Sequence, residues 1–174
     1  YLDKNGSWKK LADTASLSYT HNKLVSGKTY KYKVRCLDKN GKFVSGTGNE
    51  KSNVFFLPPE ITSVSKTDKG TLLCWSAVKG AAGYCVYRKE LGGEWKEIAR
   101  VACLNEYTDT SASKTQVYSY SLRCTDENGN FISDYLKDTR YYADSKPANG
   151  EYKIGKETYR FNNGFFRSGL QTIE

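Results

Sequence analysis

Carboxylate pairs are the residues of this chain with the most consequential potential chemistry, because two opposed carboxyl groups can hydrolyse a glycosidic bond. Glu94 and Glu97 form one pair along the chain, and Asp134 and Asp138 form another. Neither pair belongs to a pattern that places it in a cleft, and surface carboxylates on strands are common. The sequence therefore assigns no catalytic residue, and we do not expect an enzyme.

The chain has few residues that could support metal binding or redox chemistry. His21 is the single histidine, and none of the five cysteines forms a C-x-x-C pair. The DKNG motif at 38–41 and the DENG motif at 126–129 begin like calcium loops, but they lack the alternating ligands and the closing glutamate. A hairpin turn explains both motifs better, because Asn-Gly readily adopts the positive φ that such turns require. No metal or cofactor is predicted.

The two turn motifs lie inside a long internal repeat. The sequence YKYKVRCLDKNGKFVS at 30–45 returns as YSYSLRCTDENGNFIS at 118–133, with nine of sixteen positions identical and a period of 88 residues. Solenoid repeats have periods of about 20–50 residues, whereas this period matches one small β-sandwich. Repeated small β-domains usually act as spacers or binding modules, so the repeat favours a non-catalytic role.

Cys36 and Cys124 occupy equivalent positions in the two copies of the repeat. Strand alternation places each of them on the face that carries the tyrosines of the repeat, so we predict that both are small buried hydrophobes. A disulfide framework would suit a secreted protein, but the apolar core is adequate without one. We expect mostly or entirely free thiols.

Residues 58–145 contain a complete set of strand patterns. Thr71, Leu73 and Trp75 alternate with their neighbours at the period of two that marks a strand. About seven short strands follow one another with turns every 8–12 residues, the last strand being predicted over 131–142, and helical periodicity is absent. The pattern predicts an all-β fold built as an antiparallel β-sandwich.

The aromatic residues of this region resemble the fibronectin type III family. The matching features are Trp75, the motif Gly83-Tyr84-x-Val86-Tyr87, and Tyr118-x-Tyr120 before a hairpin. The resemblance implies that the tryptophan and the tyrosines pack between two sheets. It also implies that Tyr118, and Tyr30 in the first copy, forms the corner hydrogen bond that is typical of such sandwiches.

The first copy of the sandwich is incomplete in this sequence. WKKLA at 8–12 matches WKEIA at 95–99, so Tyr1 corresponds to about Tyr87 and three strands have no counterpart in residues 1–57. Half a sandwich exposes an apolar face and unpaired strand edges. Two explanations stay open, of which we favour the first: the chain is a fragment of a longer protein, or strand exchange with another molecule completes this domain.

The sequence pattern changes at residue 146, and the pattern over 146–174 predicts a β-hairpin of about twenty residues. It resembles the cell-wall-binding or glucan-binding repeats of Gram-positive surface proteins through Gly155-Lys156-x-Thr158-Tyr159-x-Phe161-x-Asn163-Gly164 and the following SGLQTI at 168–173. In those repeats, aromatic rings between consecutive hairpins stack on sugars or surround a choline ammonium. Leu170 replaces the tryptophan that is usual in choline-type repeats, so choline is not the expected ligand.

This second resemblance implies a set of candidate ligand-binding residues. They share an aromatic ring that could stack on a sugar, and they are Tyr152, Tyr159, Phe161, Phe165 and Phe166. The alternative is that these rings only pack the hairpin against its neighbours, because a two-stranded hairpin is marginal by itself.

The net charge of +8 is concentrated in the first region. Residues 1–57 hold eleven Lys and Arg against four Asp and Glu, whereas residues 58–143 hold eleven of each. A basic first domain could bind an anionic polymer, but lysines also solvate strand faces and discourage aggregation. The basic residues form no dense block, which favours solvation and argues against a specific nucleic-acid partner. No run approaches the roughly 18 apolar residues of a membrane-spanning helix, so no transmembrane segment is expected.

The sequence as a whole favours a non-catalytic spacer and attachment segment of a secreted protein on the surface or cell wall of a Gram-positive bacterium. Its partner would be a cell-wall or other glycan polymer, bound through region 146–174. Two alternatives stay open: an accessory region of a cell-wall hydrolase, and a basic module that binds anionic wall polymers.

Overall fold

The computed structural model describes residues 1–3, 5–137 and 139–167, which contain thirteen β-strands and no helix. The chain divides into two compact units, Tyr1–Phe56 and Leu57–Glu174. The first unit contains β1 (Lys28–Tyr32) and β2 (Lys51–Phe55). The second contains β3 (Ile61–Thr67), β4 (Gly70–Trp75), β5 (Gly83–Glu90), β6 (Lys96–Ala102), β7 (Glu106–Asp109), β8 (Val117–Thr125), β9 (Tyr141–Ala143), β10 (Lys146–Pro147), β11 (Gly150–Ile154), β12 (Glu157–Asn162) and β13 (Phe165–Phe166). Accordingly, the described residues offer no helix that is long and apolar enough to cross a membrane.

The second unit is a sandwich of two antiparallel sheets with a third, small sheet attached. The sandwich sheets have the strand orders β3-β4-β7 and β10-β9-β8-β5-β6, and the small sheet has the order β11-β12-β13. Thr71, Leu73 and Trp75 point alternately into the sandwich from β4, as predicted. The side chains of the core come from both sheets, and they are Leu73, Trp75, Tyr84, Val86, Tyr118, Tyr120, Leu122 and Cys124. The predicted all-β class with antiparallel sandwiches is confirmed.

The central strand β8 is buried on both of its faces. Ser119 and Ser121 alternate with the core residues and therefore point away from the sandwich, yet both are buried. The segment that follows β8 covers them, because Ser119 Oγ donates to the Arg140 carbonyl at 2.9 Å and Ser121 Oγ donates to the Leu136 carbonyl at 3.2 Å. Small hydroxyl side chains allow this close approach of a second layer of backbone.

The last sandwich strand is much shorter than predicted. A strand was expected over 131–142, but β9 covers only Tyr141–Ala143, and the described residues from 131 to 140 form an irregular segment with one isolated bridge between Thr125 and Phe131. The prediction was wrong because a side chain replaces the expected ladder. The hydroxyl of Ser133 accepts a hydrogen bond from the Cys124 amide at 2.8 Å, so this backbone group of β8 needs no strand partner.

Both copies of the repeat form the predicted tyrosine corner. The Tyr118 hydroxyl accepts a hydrogen bond from the Ser113 amide at 3.0 Å, and the Tyr30 hydroxyl accepts one from the Val25 amide at 2.9 Å. The tyrosine lies five residues after its donor in each copy, and this hydrogen bond fixes the loop that leads into the strand.

Both turn motifs are hairpin turns, as the sequence indicated. In each copy the aspartate Oδ1 accepts hydrogen bonds from the amides two and four residues later, at 2.9 and 2.8 Å for both Asp38 and Asp126. Gly41 and Gly129 each have a φ of 78°, which strongly favours glycine. The carboxylates are thus engaged by their own backbone.

The first unit contains one strand pair and extended loops. Tyr30 is buried, but Val34 is 77% exposed and Cys36 is exposed, whereas Cys124 is fully buried. The prediction that Cys36 is buried was wrong, because the strands that cover the face of Cys124 have no equivalents in residues 1–56. All five cysteines are free thiols.

Candidate functional site

The C-terminal region forms a small antiparallel sheet with most of its aromatic residues on one face, whereas Phe165, the neighbour of Phe166 on β13, lies on the other. The strand register pairs Tyr152 with Tyr159 and Phe161 with Phe166. The ring centroids of Tyr152 and Phe161 lie 5.8 Å apart, and those of Phe161 and Phe166 lie 5.6 Å apart. Cross-strand and diagonal ring contacts of this kind stabilise a short hairpin.

The aromatic face packs on the outer surface of the five-stranded sheet. Phe161 is 4% exposed and forms a second core with Leu91, Val117 and Ala148. Its ring centroid lies 5.0 Å from that of Tyr141 on β9. The small sheet is therefore fixed to the sandwich, and part of its aromatic surface serves that packing.

Gly164 holds the junction between the small sheet and the sandwich. Its carbonyl accepts a hydrogen bond from the Tyr141 amide at 2.7 Å, and its amide donates to the Ala148 carbonyl at 2.8 Å. A Cβ at this position would lie 2.8 Å from the Tyr141 carbonyl oxygen and 2.9 Å from Arg140 Cβ, and its φ is 80°. Glycine is required here by both the space and the backbone conformation.

The structure brings four of the five candidate rings together, whereas Phe165 contacts Arg140 instead, and it exposes the five unequally. Phe161 is buried, Tyr152 and Tyr159 are half-buried, and Phe165 and Phe166 are 43% and 45% exposed. A sugar can stack only on a ring whose face reaches solvent, so the two phenylalanines are the rings available for contact. The SGLQTI motif with Leu170 lies outside the described residues.

Tyr159 connects the buried and exposed parts of this cluster. Its ring centroid lies 5.9 Å from that of Phe166, and its hydroxyl donates a hydrogen bond to Glu157. The bond to Glu157 raises the pKa of the Tyr159 hydroxyl, because it stabilises the protonated phenol next to a carboxylate. The hydroxyl is therefore fixed as a donor to Glu157.

Two cations lie against aromatic rings beside the small sheet. Lys89 Nζ lies 5.1 Å from the ring centroid of Trp95 and 5.5 Å from that of Tyr141. The Arg140 guanidinium lies 4.9 Å from the ring centroid of Phe165. These distances are within the range of cation–π attraction. Neither cation forms an ion pair with a carboxylate of the described residues.

Sequence reasoning did not single out these four residues: Lys89, Trp95, Arg140 and Tyr141. The alternation of β5 does place Lys89 on the outer face of the sheet, two positions after Tyr87. Which part of that face stays accessible depends on where the small sheet docks, and no local pattern encodes the docking.

A second cation–aromatic stack covers the other end of the same sheet face. The Arg123 guanidinium lies 3.9 Å from the ring centroid of Phe131 and 4.7 Å from that of Tyr135, which in turn lies 5.0 Å from Tyr87. Cys85 is fully buried on this face, and burial raises the pKa of its thiol to about 11. Side chains of the chain itself fill this end.

Glu97, one of the carboxylates considered for catalysis, is not poised as a general acid. Glu97 Oε1 pairs with Arg100 Nε at 2.9 Å, and the hydrogen bond from Arg100 lowers the pKa of Glu97. A general acid at neutral pH requires a raised pKa instead. Asp138 lies outside the described residues. Within those residues, no three His, Cys, Asp or Glu side chains group as a metal site would need.

Each unit contains a cavity with lysines at its rim. The cavity of the second unit has a volume of about 360 Å³ and lies at the end of the sandwich, where Lys66 Nζ pairs with Asp144 at 2.7 Å. Its lysines are Lys66, Lys69 and Lys114. The cavity of the first unit has a volume of about 430 Å³, and its lysines are Lys9, Lys23, Lys28 and Lys31.

The chain is similar in sequence to one exoglucanase and resembles solved structures with fibronectin type III domains. No protein-family model matches the chain. It is 25% identical over 176 residues to exoglucanase B of Cellulomonas fimi, in an alignment that covers 91% of this chain but spans only 15% of that relative's length. An Fn3-like protein from Clostridium thermocellum is 29% identical, with 45% of this chain and 88% of that chain covered and a TM-score of 0.38. The chicken CNTN1 FN1–FN3 domains are 16% identical, with 74% and 51% covered and a TM-score of 0.41.

Proposed function

We propose that this chain is a non-catalytic accessory segment of a secreted, carbohydrate-active protein, and that its small C-terminal sheet binds a glycan polymer. The observation that carries the proposal is that Phe165 and Phe166 are 43% and 45% exposed on a sheet that is otherwise fixed to the sandwich. An exposed ring on such a fixed sheet offers an apolar face on which a pyranose ring stacks. Phe165 and Phe166 are consecutive strand residues and point to opposite faces, so each ring would contact the polymer separately. The 25% identity with an exoglucanase supports a role linked to carbohydrate.

The sandwich would space and orient this binding surface. Docking through Phe161 and Gly164 holds the sheet in one position, so little conformational entropy is lost when a ligand binds. A site with two exposed rings is weak by itself, and several such segments on one polymer gain strength through avidity. We expect the natural polymer to be a bacterial cell wall or another extracellular glycan at a Gram-positive cell surface.

Co-sedimentation with insoluble polymer tests this proposal. The wild-type chain and a variant that combines Phe165→Ala with Phe166→Ala are each mixed with cellulose and with purified Gram-positive cell walls. Loss of two stacking rings should weaken binding by about thirtyfold, at roughly 1 kcal/mol for each ring. The matched control is Phe43→Ala, which removes an exposed ring in the first unit and should leave binding within about twofold. Equal binding by the double variant and the wild type would refute the role of this sheet.

Comparison of the two polymers also distinguishes between a role at the cell wall and a role linked to glucan. Binding to walls but not to cellulose would favour wall attachment or an accessory role beside a cell-wall hydrolase. Binding to cellulose alone would favour a glucan-linked role. In either case the phenylalanine variant must lose the binding for the small sheet to be the site.

A basic module in the first unit is the second candidate. The observation that favours it is the cavity of about 430 Å³ with four lysines, in a region that carries eleven basic and four acidic residues. Binding of an anionic wall polymer by this unit should fall steeply with salt, unlike ring stacking on a neutral sugar. Lys23→Gln combined with Lys28→Gln should then abolish the salt-sensitive part of wall binding and leave the part that depends on Phe165 and Phe166.

A further inference from the structure

We infer that the small sheet and the sandwich together form one binding surface for a polysaccharide that carries carboxylates, such as a polymer of uronic acids. The inference rests on the proposed function, because it assigns a ligand class and further residues to that site. The residues lie along the outer face of the five-stranded sheet and the part of the small sheet that meets it, and they are Lys89, Trp95, Arg140 and Phe165.

The strand register makes this surface continuous. Lys89 on β5 pairs with Ser119 on β8, and Ser119 pairs with Tyr141 on β9, so the three side chains lie in one row on the outer face. Trp95 precedes the edge strand β6, and the ammonium of Lys89 lies within 5.5 Å of the ring centroids at both ends of this row. The ring of Tyr141 then contacts Phe161 of the small sheet at 5.0 Å.

The second cation extends the row onto the small sheet. Arg140 immediately precedes Tyr141, is exposed, and stacks on Phe165 at 4.9 Å. The surface thus alternates rings and cations from Trp95 on the sandwich to Phe165 on the small sheet.

The carboxylates of the small sheet already have partners, and Glu90 and Glu94, which are next to Lys89 and Trp95 in sequence, pair with neither Lys89 nor Arg140. In the small sheet, Glu151 pairs with Arg160 at 2.7 Å and Glu157 accepts a hydrogen bond from Tyr159. Lys89 and Arg140 have no such partner among the described residues, unlike Arg100 at the other end of the sheet face, which pairs with Glu97. The two free cations therefore favour an anionic ligand.

The alternation of rings and cations selects the kind of anion. A neutral sugar polymer would use the rings and leave both cations without a role. A polyol phosphate would use the cations but has no pyranose face to stack on the rings. A uronic acid combines an apolar ring face with a carboxylate at the ring edge, so it matches both features.

Affinity electrophoresis of the full chain tests the inference, with polygalacturonate, a neutral mixed-linkage β-glucan and poly(glycerol phosphate) as separate probes. The test variant combines Lys89→Gln with Arg140→Gln. The matched control combines Lys69→Gln with Lys114→Gln, which removes two positive charges at the sandwich-end cavity instead. The Tyr141 amide donates to the Gly164 carbonyl of the small sheet, so its hydrogen exchange is measured in both variants to check that the small sheet stays docked.

We expect the wild type to bind polygalacturonate about tenfold more tightly than the neutral glucan, which corresponds to about 1.4 kcal/mol. The test variant should lose this preference while it keeps its affinity for the neutral glucan, and the control should behave like the wild type. Equal losses of affinity for polygalacturonate in the two variants would mean that only overall charge matters. Binding of poly(glycerol phosphate) as tightly as polygalacturonate would mean that the rings do not select the ligand. Either result overturns the inference. If neutral glucan binds but polygalacturonate is not preferred, the inference fails and the proposed function stands. If neither polysaccharide binds, the inference fails, and the proposed function is decided by the co-sedimentation with cell walls and cellulose.

Discussion

The hairpin turns of the two units have the same hydrogen bonds, but the residues beside them have opposite environments. Asp38 and Asp126 each accept two backbone hydrogen bonds, at 2.9 and 2.8 Å in both copies. Val34, however, is 77% exposed, whereas Leu122, its equivalent 88 residues later, is completely buried. Local hydrogen bonding thus follows from the repeated segment itself, while burial follows from strands far away in sequence.

One polar position separates the two units further. His21 and Asp109 are equivalent, since each follows a Tyr-Thr pair and they lie 88 residues apart. Asp109 is buried, accepting hydrogen bonds from the Tyr120 hydroxyl at 3.0 Å and Arg88 Nη1 at 2.8 Å, whereas His21 Nδ1 lies 3.0 Å from the Tyr32 hydroxyl. The equivalent tyrosines Tyr32 and Tyr120 thus each have a hydrogen-bond partner, but the partner of Tyr120 also forms a buried ion pair.

The replacement Asp109→Asn should produce the largest contrast between the units. It leaves the largely buried Arg88 guanidinium without its counter-charge, and breaking a buried pair in this way costs about 3–5 kcal/mol. The equivalent change His21→Asn removes one hydrogen bond and the ring contacts of His21 with three tyrosines, and it should cost about 1–2 kcal/mol. Amide hydrogen exchange of β8 and of β1 measures the two effects separately. Comparable losses in the two units would show that the buried charge adds nothing.

The same ion pair predicts a pH dependence that is confined to the second unit. Burial alone would raise the pKa of the Asp109 carboxyl, but hydrogen bonds from Ser111 and Arg88 and the charge of the guanidinium hold it below its usual value. The stabilisation is therefore fully present above the unfolded-state pKa of about 3.9 and is lost as the pH falls through the lower folded-state pKa. Exchange of β8 amides between pH 6 and about pH 2, corrected for the intrinsic pH dependence of exchange, should show this loss in the wild type and much less of it in Asp109→Asn. A variant as acid-sensitive as the wild type would assign the loss to other carboxylates.

Truncation of an equivalent apolar residue tests the difference in burial directly. Leu122→Ala should destabilise the second unit by about 2–5 kcal/mol, because it removes buried methyl groups and leaves a cavity between the sheets. Val34→Ala should change the stability of the first unit by no more than about 0.5 kcal/mol, as is usual for exposed positions. Chemical denaturation followed by hydrogen exchange in each unit gives both values. A large effect of Val34→Ala would mean that the face of Val34 is covered in solution, which would support the proposal that strand exchange completes the first domain.

Apart from the sandwich class itself, the details that sequence analysis predicted correctly are those that depend on nearby residues. The tyrosine corners at Tyr30 and Tyr118 and the Asn-Gly turns each involve residues within a few positions of one another, so their pattern is visible in the sequence. The prediction of an extended strand over 131–142 was wrong because the side chain of Ser133 replaces a backbone hydrogen bond of the strand ladder. The burial of Cys36 was wrong because burial needs distant strands.

The candidate site was predictable only in part for the same reason. The aromatic residues of the small sheet follow from the local motif, including the exposed Phe165 and Phe166. The contributions of Lys89 and Trp95 depend on docking of the small sheet across the outer face of β5, β8 and β9, which brings together positions more than 50 residues apart. Such a contact leaves no periodic signal in one sequence.

The tyrosine corner offers the smallest effect and the sharpest test of what the two units share. Tyr118→Phe and Tyr30→Phe each remove one hydrogen bond from a loop amide and leave the ring in place, so each should cost about 0.5–1.5 kcal/mol. Because the bond is local and has nearly the same length in both copies, the two losses should agree although the surrounding burial differs. Exchange rates of the Ser113 and Val25 amides report the two bonds directly and should rise in the matching variant only. A clearly larger loss for Tyr118→Phe would mean that the packing around the corner, and not the hydrogen bond alone, determines how firmly the loop is held.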